Sequence, residues 1–265
     1  MKNDEANEKY YDRVSQTYDE KQTISLKDYS VFLRQLKRII KPDKIKQGST
    51  VLDCGCGTGR GALKFAKMGC RVTASDISSK MVQKTVENAK NLEFEVEGVT
   101  ADCISLPFKD NSFDFVTLSA ALHHIEEVDK ALKEFYRVLK PGGALLLIAE
   151  HKKSIIRPEW TQKRKYALSS KYDREVLKIE PLPVDLHIFK ISELSKTLSN
   201  IGFSKIRTKS FFILSSLYRD LFLYSIHNKK IKNGLVNIFN WIDEWLLFWV
   251  PSVFRAMFSL SAWKK

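Results

Sequence analysis

Three alternate glycines at the end of an apolar segment constrain the fold of this chain more than any other feature. They lie in the run Val51-Leu52-Asp53-Cys54-Gly55-Cys56-Gly57-Thr58-Gly59. A glycine lets the backbone take positive φ and lets a ligand come close without a Cβ in the way, so such a strand-to-helix turn is typical of a nucleoside-sized site. The next apolar segment ends in Ser75-Asp76, where a carboxylate can accept two hydrogen bonds from ribose hydroxyls. A tight turn in any Rossmann-like domain is the alternative interpretation.

The first 150 residues alternate short apolar runs with amphipathic segments, as βαβ units do. The predicted strands span 50–55, 71–76, 94–99, 113–120 and 143–150. The predicted helices between them span 59–68, 79–90 and 127–139, and Pro141-Gly142-Gly143 is expected to end the last one. This alternation predicts a parallel sheet covered by helices on both faces, with ligands at the carboxyl ends of its strands.

The pattern loosens over residues 151–185 into a basic connection that contains aromatic residues and prolines. A helix is then expected at 191–201, where Ser192 can cap its start and Gly202 can end it. Two more strands are predicted, at 204–212 and 257–263. These bring the predicted sheet to seven strands.

Between the last two strands, residues 217–254 are predicted to form apolar helices. They carry Trp241, Trp245 and Trp249 on one side, but Asp243-Glu244 interrupt the apolar run, so a transmembrane span is not expected. This insertion either packs on the sheet or a second subunit, or it rests on an anionic membrane or covers an apolar acceptor.

The net charge of +13 is concentrated in the C-terminal part of the chain. Residues 1–150 hold 23 Lys and Arg against 22 Asp and Glu, whereas residues 151–265 hold 21 against 9. The C-terminal part could attract nucleic acid, an anionic membrane surface or an acidic substrate, unless its lysines reflect biased genomic composition alone.

The four cysteines predict neither a metal site nor a disulfide framework. The Cys54-x-Cys56 pair lacks a second Cys or His pair at metal-ligand spacing, so no metal is expected. The first residues are charged and no apolar segment follows them, which predicts a cytoplasmic protein, with peripheral membrane association as an extension of that prediction.

Five strings in order resemble the class I S-adenosylmethionine-dependent methyltransferases, in particular the small-molecule branch called type 11. The first is the glycine run and the second is Asp76. The other three are Ala101-Asp102-Cys103 with Leu106-Pro107-Phe108, Phe113-Asp114-Phe115-Val116, and Arg137-Val138-Leu139-Lys140-Pro141-Gly142-Gly143. The resemblance implies an α/β fold, a Rossmann-like doubly wound and mostly parallel seven-stranded sheet whose last strand is antiparallel, with the helical apolar insertion between the last two strands.

The resemblance also implies a division of the chain and a set of residues that bind S-adenosylmethionine. Residues 1–45 would form a helical lid, 46–150 the cofactor-binding core, and 151–265 an acceptor-side cover within the same domain. The implied cofactor-binding residues are Tyr11, Tyr18, Asp53, Gly55, Cys56, Gly57, Gly59, Asp76, Ile77, Asp102, Cys103 and Ser119.

Each of these residues has an implied partner in the cofactor. The glycine turn and Asp53 would surround the methionine portion, Asp76 would accept from the ribose hydroxyls, and Asp102 would accept from the adenine amino group. Tyr11 and Tyr18 lie seven positions apart on one helix face, where a tyrosine ring can attract a sulfonium, or they anchor the helix to the sheet.

Three histidines are candidates for acid-base catalysis: His123, His124 and His187. An imidazole can remove a proton from a phenol, enol or hydroxyl, although a well-placed electrophilic methyl group can react without a base.

The favoured function is methyl transfer to a small-molecule or lipid-like acceptor. The fourth strand reads Leu118-Ser119-Ala120-Ala121-Leu122-His123-His124 and lacks the (D/N)PP(Y/F) signature of base-amine methylation, which disfavours nucleic acid as a partner. A nucleic-acid or protein methyltransferase and a cofactor-binding protein without catalysis stay open as alternatives, and the sequence leaves the oligomeric state open.

Overall fold

The computed structural model describes residues 3–16, 18, 36, 39–41, 44–150, 165–168, 182–185, 189–211 and 257–265. The predicted insertion at 217–254 and the candidate His187 lie outside the described residues. The division of the chain into lid, core and cover stays a prediction.

The described chain forms five α-helices, one 3₁₀ turn and nine strands. The helices are α1 (Asn3–Val14), α2 (Ala62–Lys67), α3 (Ser79–Lys90), α4 (Val128–Val138) and α5 (Ile191–Ile201), and the 3₁₀ turn spans Leu122–His124. The strands are β1 (Thr50–Cys54), β2 (Arg71–Asp76), β3 (Val96–Thr100), β4 (Phe113–Ser119), β5 (Leu139–Glu150), β6 (Lys165–Leu168), β7 (Leu182–Asp185), β8 (Phe203–Phe211) and β9 (Met257–Lys264).

Seven of the strands form one sheet in the order β3-β2-β1-β4-β5-β9-β8. Strands β1 to β5 are parallel, and β9 runs antiparallel to both of its neighbours, β5 and β8. The order reverses between β1 and β4, and in such sheets a ligand binds outside the carboxyl ends of the strands at that point. The predicted α/β sheet, its seven strands and its antiparallel last strand are therefore confirmed.

The sheet is buried on both faces, as expected when helices cover a parallel sheet. In β5, Leu145 and Leu147 belong to a core that includes Phe135 of α4, whereas Ala144 and Leu146 belong to a second core that includes Phe65 of α2. Because consecutive side chains of a strand point to opposite faces, one apolar run supplies both cores.

The predictions for the start of β5 and for the start of α5 differ from the structure. Strand β5 begins at Leu139, which pairs with Phe113 before Pro141-Gly142-Gly143 shift the register, so these residues form an irregularity within the strand. Helix α5 begins at Ile191 with no side-chain cap, so the prediction of Ser192 as its cap is wrong, whereas Gly202, at φ +118°, does end it.

The connection at 151–185 contains two short strands that its prolines and charges did not predict. Strands β6 and β7 pair antiparallel, with Lys165 opposite Asp185 and Leu168 opposite Leu182. Strand β7 also contacts helix α1, which places this two-stranded ribbon beside the N-terminal helix.

None of the helices in the described part of the chain is long and apolar enough to cross a membrane.

Candidate functional site

A cavity of about 270 Å³ lies at the carboxyl ends of β1, β2 and β4. This volume is near the lower end of the range for small-molecule sites, which is about 300 to 1,000 Å³. The residues that line it come from α1, the glycine turn, the ends of these strands and the 3₁₀ turn. They are Asn7, Tyr11, Tyr18, Asp53, Gly55, Cys56, Gly57, Thr58, Arg60, Gly61, Asp76, Ile77, Ala101, Asp102, Cys103, Leu118, Ser119, Ala120, Ala121, His124 and Ile125.

The glycine turn after β1 needs its glycines for two reasons. Gly55 and Gly57 have φ of +59° and +55°, in the left-handed region that side chains disfavour. A Cβ on Gly55 would lie 2.7 Å from the Cβ of Ala121, so the turn also packs closely against the segment after β4. Gly59 does not line the cavity, since a Cβ there would point at Thr85 of α3, 3.0 Å from its Cγ2. The structure therefore gives Gly59 a packing role and no contact with this cavity.

Asp53 projects its carboxylate towards the first turn of α2. Its Oδ2 accepts a hydrogen bond from the backbone N–H of Ala62 at 2.7 Å, and its side chain is almost wholly buried. Burial raises the pKa of Asp53 to about 7, although the Ala62 N–H and the nearby Lys64 charge lower it. A cationic group entering the cavity would favour the ionised form of this carboxylate.

Asp76 ends β2 with both carboxylate oxygens fixed by backbone groups. Its Oδ2 accepts from the N–H of Gly57 at 2.9 Å and its Oδ1 accepts from the N–H of Ser78 at 3.0 Å. Burial raises the pKa of Asp76 above its ordinary value, while the N–H groups of Ser78 and Gly57 lower it. Because a carboxylate has about four acceptor positions, Asp76 can hold the glycine turn and still accept from a diol.

Asp102 and Cys103 lie on the segment after β3 and line the same cavity. Oδ1 of Asp102 accepts from the N–H of Ile104 at 3.1 Å, which closes a turn around the carboxylate. The following segment is held by Arg137 of α4, whose guanidinium donates to the carbonyls of Phe108 at 2.6 Å and Leu106 at 2.9 Å.

Helix α1 covers the cavity with aromatic side chains. Helix α1 ends at Val14, so Tyr18 lies beyond it and the two tyrosines do not share a face of this helix, but their rings still meet edge to face with centroids 6.2 Å apart. The Tyr11 hydroxyl lies 3.0 Å from Nε2 of His124, and the side-chain amide of Asn7 donates to the backbone carbonyl of His124 at 3.3 Å. The N-terminal helix and the 3₁₀ turn therefore share one hydrogen-bonded contact.

The two described histidine candidates differ in their access to the cavity. His124 lines it, whereas His123 is buried behind it with the two rings 4.1 Å apart. Burial lowers the pKa of His124 to about 4 and that of His123 well below its ordinary value, so both imidazoles are neutral at pH 7. His123 has no place in the cavity lining, and its predicted catalytic role gains no support from the structure.

Ser119, one of the implied cofactor-binding residues, ends β4 and Ala120 follows it, and both line the cavity. Ala120 has φ of +54°, which is uncommon for a residue with a Cβ, and its N–H donates to the carbonyl of Ile148 at 2.8 Å. Such backbone strain persists where the surrounding structure enforces it, and it is concentrated at functional sites.

The four cysteines are unpaired thiols. Burial raises the pKa values of Cys54 and Cys56 well above the ordinary value, so both are protonated at pH 7.

The structure brings eleven of the twelve predicted cofactor-binding residues together around one cavity and leaves out Gly59. It adds residues that the motifs did not indicate, among them Asn7, Gly61 and Ile125. Gly61 could have been found, since it continues the glycine run, whereas nothing in the sequence near Asn7 marks it as a neighbour of His124.

Comparison with known proteins agrees with this architecture. Residues 52–147 match the family model Methyltransf_11, described as a methyltransferase domain. The ubiquinone/menaquinone biosynthesis C-methyltransferase UbiE of Enterobacter sp. (strain 638) is 42% identical over 119 residues, which are 43% of this chain and 47% of that protein. The same enzyme of Escherichia coli (strain K12 / DH10B) is 41% identical over a segment of equal length. The match thus spans about half the length of these relatives.

Solved structures resemble a larger part of the chain at lower identity. Phosphoethanolamine N-methyltransferase 2 of Haemonchus contortus, in complex with S-adenosyl-L-methionine, superposes with a TM-score of 0.58 at 22% identity, over 89% of this chain and 52% of that chain. The [4+2]-cyclase SpnF superposes with a TM-score of 0.63 at 20% identity, over 97% of this chain and 95% of that chain. At these identities the likeness shows that the fold is shared.

Proposed function

We propose that the protein transfers a methyl group from S-adenosylmethionine to a small-molecule or lipid-like acceptor, because residues 52–147 match the model of a methyltransferase domain and resemble C-methyltransferases. The observation that supports this proposal best is the convergence of the glycine turn and three carboxylates, Asp53, Asp76 and Asp102, on one cavity beneath α1.

The residues of the cavity fit this cofactor by their chemistry. The buried Asp53 carboxylate would balance the ammonium of the methionine portion, and the anchored Asp76 carboxylate would accept from the ribose hydroxyls. Asp102 would accept from the adenine amino group, and Ile77 would pack against the adenine ring. When bound, S-adenosylmethionine supplies a methyl group on a positively charged sulfur, which makes that methyl carbon electrophilic.

Tyr11 and His124 are the groups that we assign to the acceptor. His124 is neutral at pH 7 and hydrogen-bonded to the Tyr11 hydroxyl, and because its pKa is about 4 the pair can receive the proton of an acceptor hydroxyl or enol only as methyl transfer makes that proton acidic. In this proposal Tyr11 takes the acceptor proton as its own proton passes to Nε2 of His124. The proton from the acceptor is therefore held by the Tyr11–His124 pair, and neither side chain has to be ionised before the reaction.

An apolar acceptor suits the remaining wall of the cavity. Leu118, Ala121 and Ile125 line it on the side of the 3₁₀ turn, next to His124. The relatives that match residues of this chain are named as C-methyltransferases of ubiquinone and menaquinone biosynthesis, which supports an acceptor with an apolar ring or chain. Lipid and metabolite profiling of a deletion strain, in search of species lighter by one methylene unit, would identify it.

The basic residues at 151–265 support a second element of the proposal, transient association of a cytoplasmic enzyme with an anionic membrane. This location gives access to a lipid-like acceptor. Co-sedimentation with vesicles that contain anionic lipid at low salt is the expected result, and no sedimentation under these conditions would contradict membrane association. The alternative that RNA or protein is the acceptor is supported by the same positive charge alone, and no sequence motif adds to that support.

Calorimetric titration with S-adenosylhomocysteine tests the cofactor assignment. Asp76→Ala should weaken binding about 30- to 1,000-fold, which corresponds to a net loss of ~2 to 4 kcal/mol for one or two charge-assisted hydrogen bonds. The matched control is Asp129→Ala, which removes an exposed carboxylate from the first turn of α4. Equal affinity of Asp76→Ala and the wild type would refute the site, and no binding to the wild type would refute the proposed function.

A further inference from the structure

Helix α1 is attached to both sides of the cavity. On the β4 side, Tyr11 and Asn7 form their hydrogen bonds with His124. On the β2 side, Asp12 accepts a hydrogen bond from the hydroxyl of Ser78, with 2.5 Å between Oδ1 and Oγ. One short helix therefore connects the acceptor side of the site with the cofactor side.

Ser78 connects Asp12 to the carboxylate that is assigned to the ribose. Its backbone N–H donates to Oδ1 of Asp76 at 3.0 Å, and its hydroxyl oxygen accepts from the N–H of Met81 at 3.1 Å, which caps α3. Ser78 is fully buried, so these contacts are shielded from water. A hydrogen-bonded path thus leads from Asp12 through Ser78 to Asp76.

The contact of α1 with the 3₁₀ turn is incompletely satisfied. Oδ1 of Asn7 and Nδ1 of His124 are both buried and have no hydrogen-bond partner. A buried polar atom without a partner costs free energy that exposure to water would recover, so this end of α1 is not held by its own contacts alone. The apolar packing of Val14 on Met81 and the bond between Asp12 and Ser78 hold the other end.

We propose that Asp12 is a positioning residue, which holds α1 through Ser78 in the place where Tyr11 meets His124. The inference rests on the proposed function, because it takes the ligand at Asp76 to be the methyl donor. A ligand held by Asp76 then adds to the docking of α1 through Ser78, so donor binding stabilises the contact between Tyr11 and His124. Donor binding and readiness for the acceptor are coupled through one carboxylate.

Three variants of the full chain test this role: Asp12→Ala, Asp12→Asn and the control Glu8→Ala, which removes an exposed carboxylate from the same helix. The measurements are amide hydrogen exchange over residues 3–16, with and without S-adenosylhomocysteine, and the affinity for that ligand. For Asp12→Ala we expect at least tenfold faster exchange in the liganded protein and about three- to tenfold weaker binding. Asp12→Asn keeps an acceptor oxygen for Ser78, so it should retain most of the protection and affinity.

Kinetics separate positioning from general destabilisation. Once the acceptor has been identified, Asp12→Ala should lower kcat more than it raises the KM for the acceptor. Asp12→Asn should have a kcat close to that of the wild type. Unchanged exchange in Asp12→Ala, or equal damage in Asp12→Asn and Asp12→Ala, would overturn the inference. If the wild type binds the ligand and either of these results is obtained, the role of Asp12 is wrong and the proposed function still holds. If the wild type does not bind the ligand, both the role of Asp12 and the proposed function are wrong.

Discussion

The α-carbon of Gly61 faces the carboxylate of Asp53 so closely that a Cβ added there would lie 2.7 Å from each of its oxygens. Its φ of −73° is one that any residue adopts, so the requirement for glycine at this position is steric alone. The contact leaves Asp53 free to reach the N–H of Ala62 and joins the glycine turn to the start of α2. The orientation of the Asp53 carboxylate therefore depends on the absence of a side chain at position 61.

Gly61→Ala should displace the Asp53 carboxylate and weaken the binding of S-adenosylhomocysteine at least tenfold. The fold should persist, because alanine adopts this backbone conformation without strain. Calorimetric titration measures the affinity, and circular dichroism checks the fold. The control is Gly48→Ala, at φ +80° in open space, which should reduce stability and leave affinity unchanged. Wild-type affinity in Gly61→Ala would contradict the steric argument.

The raised pKa of Asp53 predicts how the stability of the ligand-free protein depends on pH. Its folded-state pKa of about 7 exceeds the ordinary 3.8, so the folded protein holds the proton more tightly than the unfolded chain. This contribution to stability is complete below pH 4 and is lost as the pH rises to about 7. Its full size is ~4 kcal/mol at 1.36 kcal/mol per unit of pKa.

Asp53→Asn, which does not titrate, should therefore match the wild type near pH 4 and exceed its free energy of unfolding by ~2 to 4 kcal/mol at pH 8. The carbonyl oxygen of asparagine can still accept from Ala62. Urea unfolding at the two pH values measures the difference, with the exposed Asp129→Asn as the control. A difference between variant and wild type that is the same at both pH values would show that Asp53 is not buried as described.

The low pKa of His124 predicts how the rate of methyl transfer depends on pH. With a pKa of about 4, His124 stays neutral as the pH falls from 8 to 6, so the rate should not decline over this range through protonation of the imidazole. His124→Ala and Tyr11→Phe should each lower kcat about 100-fold, as expected for loss of a proton-accepting group, with little change in cofactor affinity. Tyr10→Phe is the control on the same helix. A kcat unchanged in both variants would remove the pair from the mechanism.

The contacts of Arg137 predict that this side chain stabilises the segment that follows Asp102. Its guanidinium donates to two carbonyls of this segment and forms ion pairs with Glu134 and Asp110, both at 2.8 Å. Lysine carries the charge without the planar fork, so Arg137→Lys should lower the free energy of unfolding by ~1 to 3 kcal/mol at this partly exposed site. Thermal unfolding measures the change in Tm, and the exposed Lys133→Ala should leave it near the wild type. Equal Tm values for both variants would contradict this role.

The sequence predicted the parts of the site that depend on local patterns. Strand β2 and Asp76 at its carboxyl end were predicted at their observed positions, because apolar runs and turn residues follow the period of a strand, whereas Asp102 was implied by the family resemblance. The seven-stranded sheet followed from counting such runs.

Contacts between distant segments were not predicted. Neither the bond between Tyr11 and His124 nor that between Asp12 and Ser78 leaves a local signal, because each joins residues that only the folded sheet brings together. The first residue of β5 was misplaced for the opposite reason. Proline and glycine normally end regular structure, yet pairing with β4 on both sides of Pro141-Gly142-Gly143 carries the strand through them.

The position of β9 between β5 and β8 has a consequence for the synthesis of the protein. Strand β9 spans residues 257–264, and Ser261 within it donates to the carbonyl of Ile39 at 2.8 Å. Because β9 pairs with both β5 and β8, neither strand has this neighbour until β9 has left the ribosome. During translation the parallel strands β1 to β5 can therefore pair first, and the edge of β5 that β9 later covers is the one exposed to aggregation.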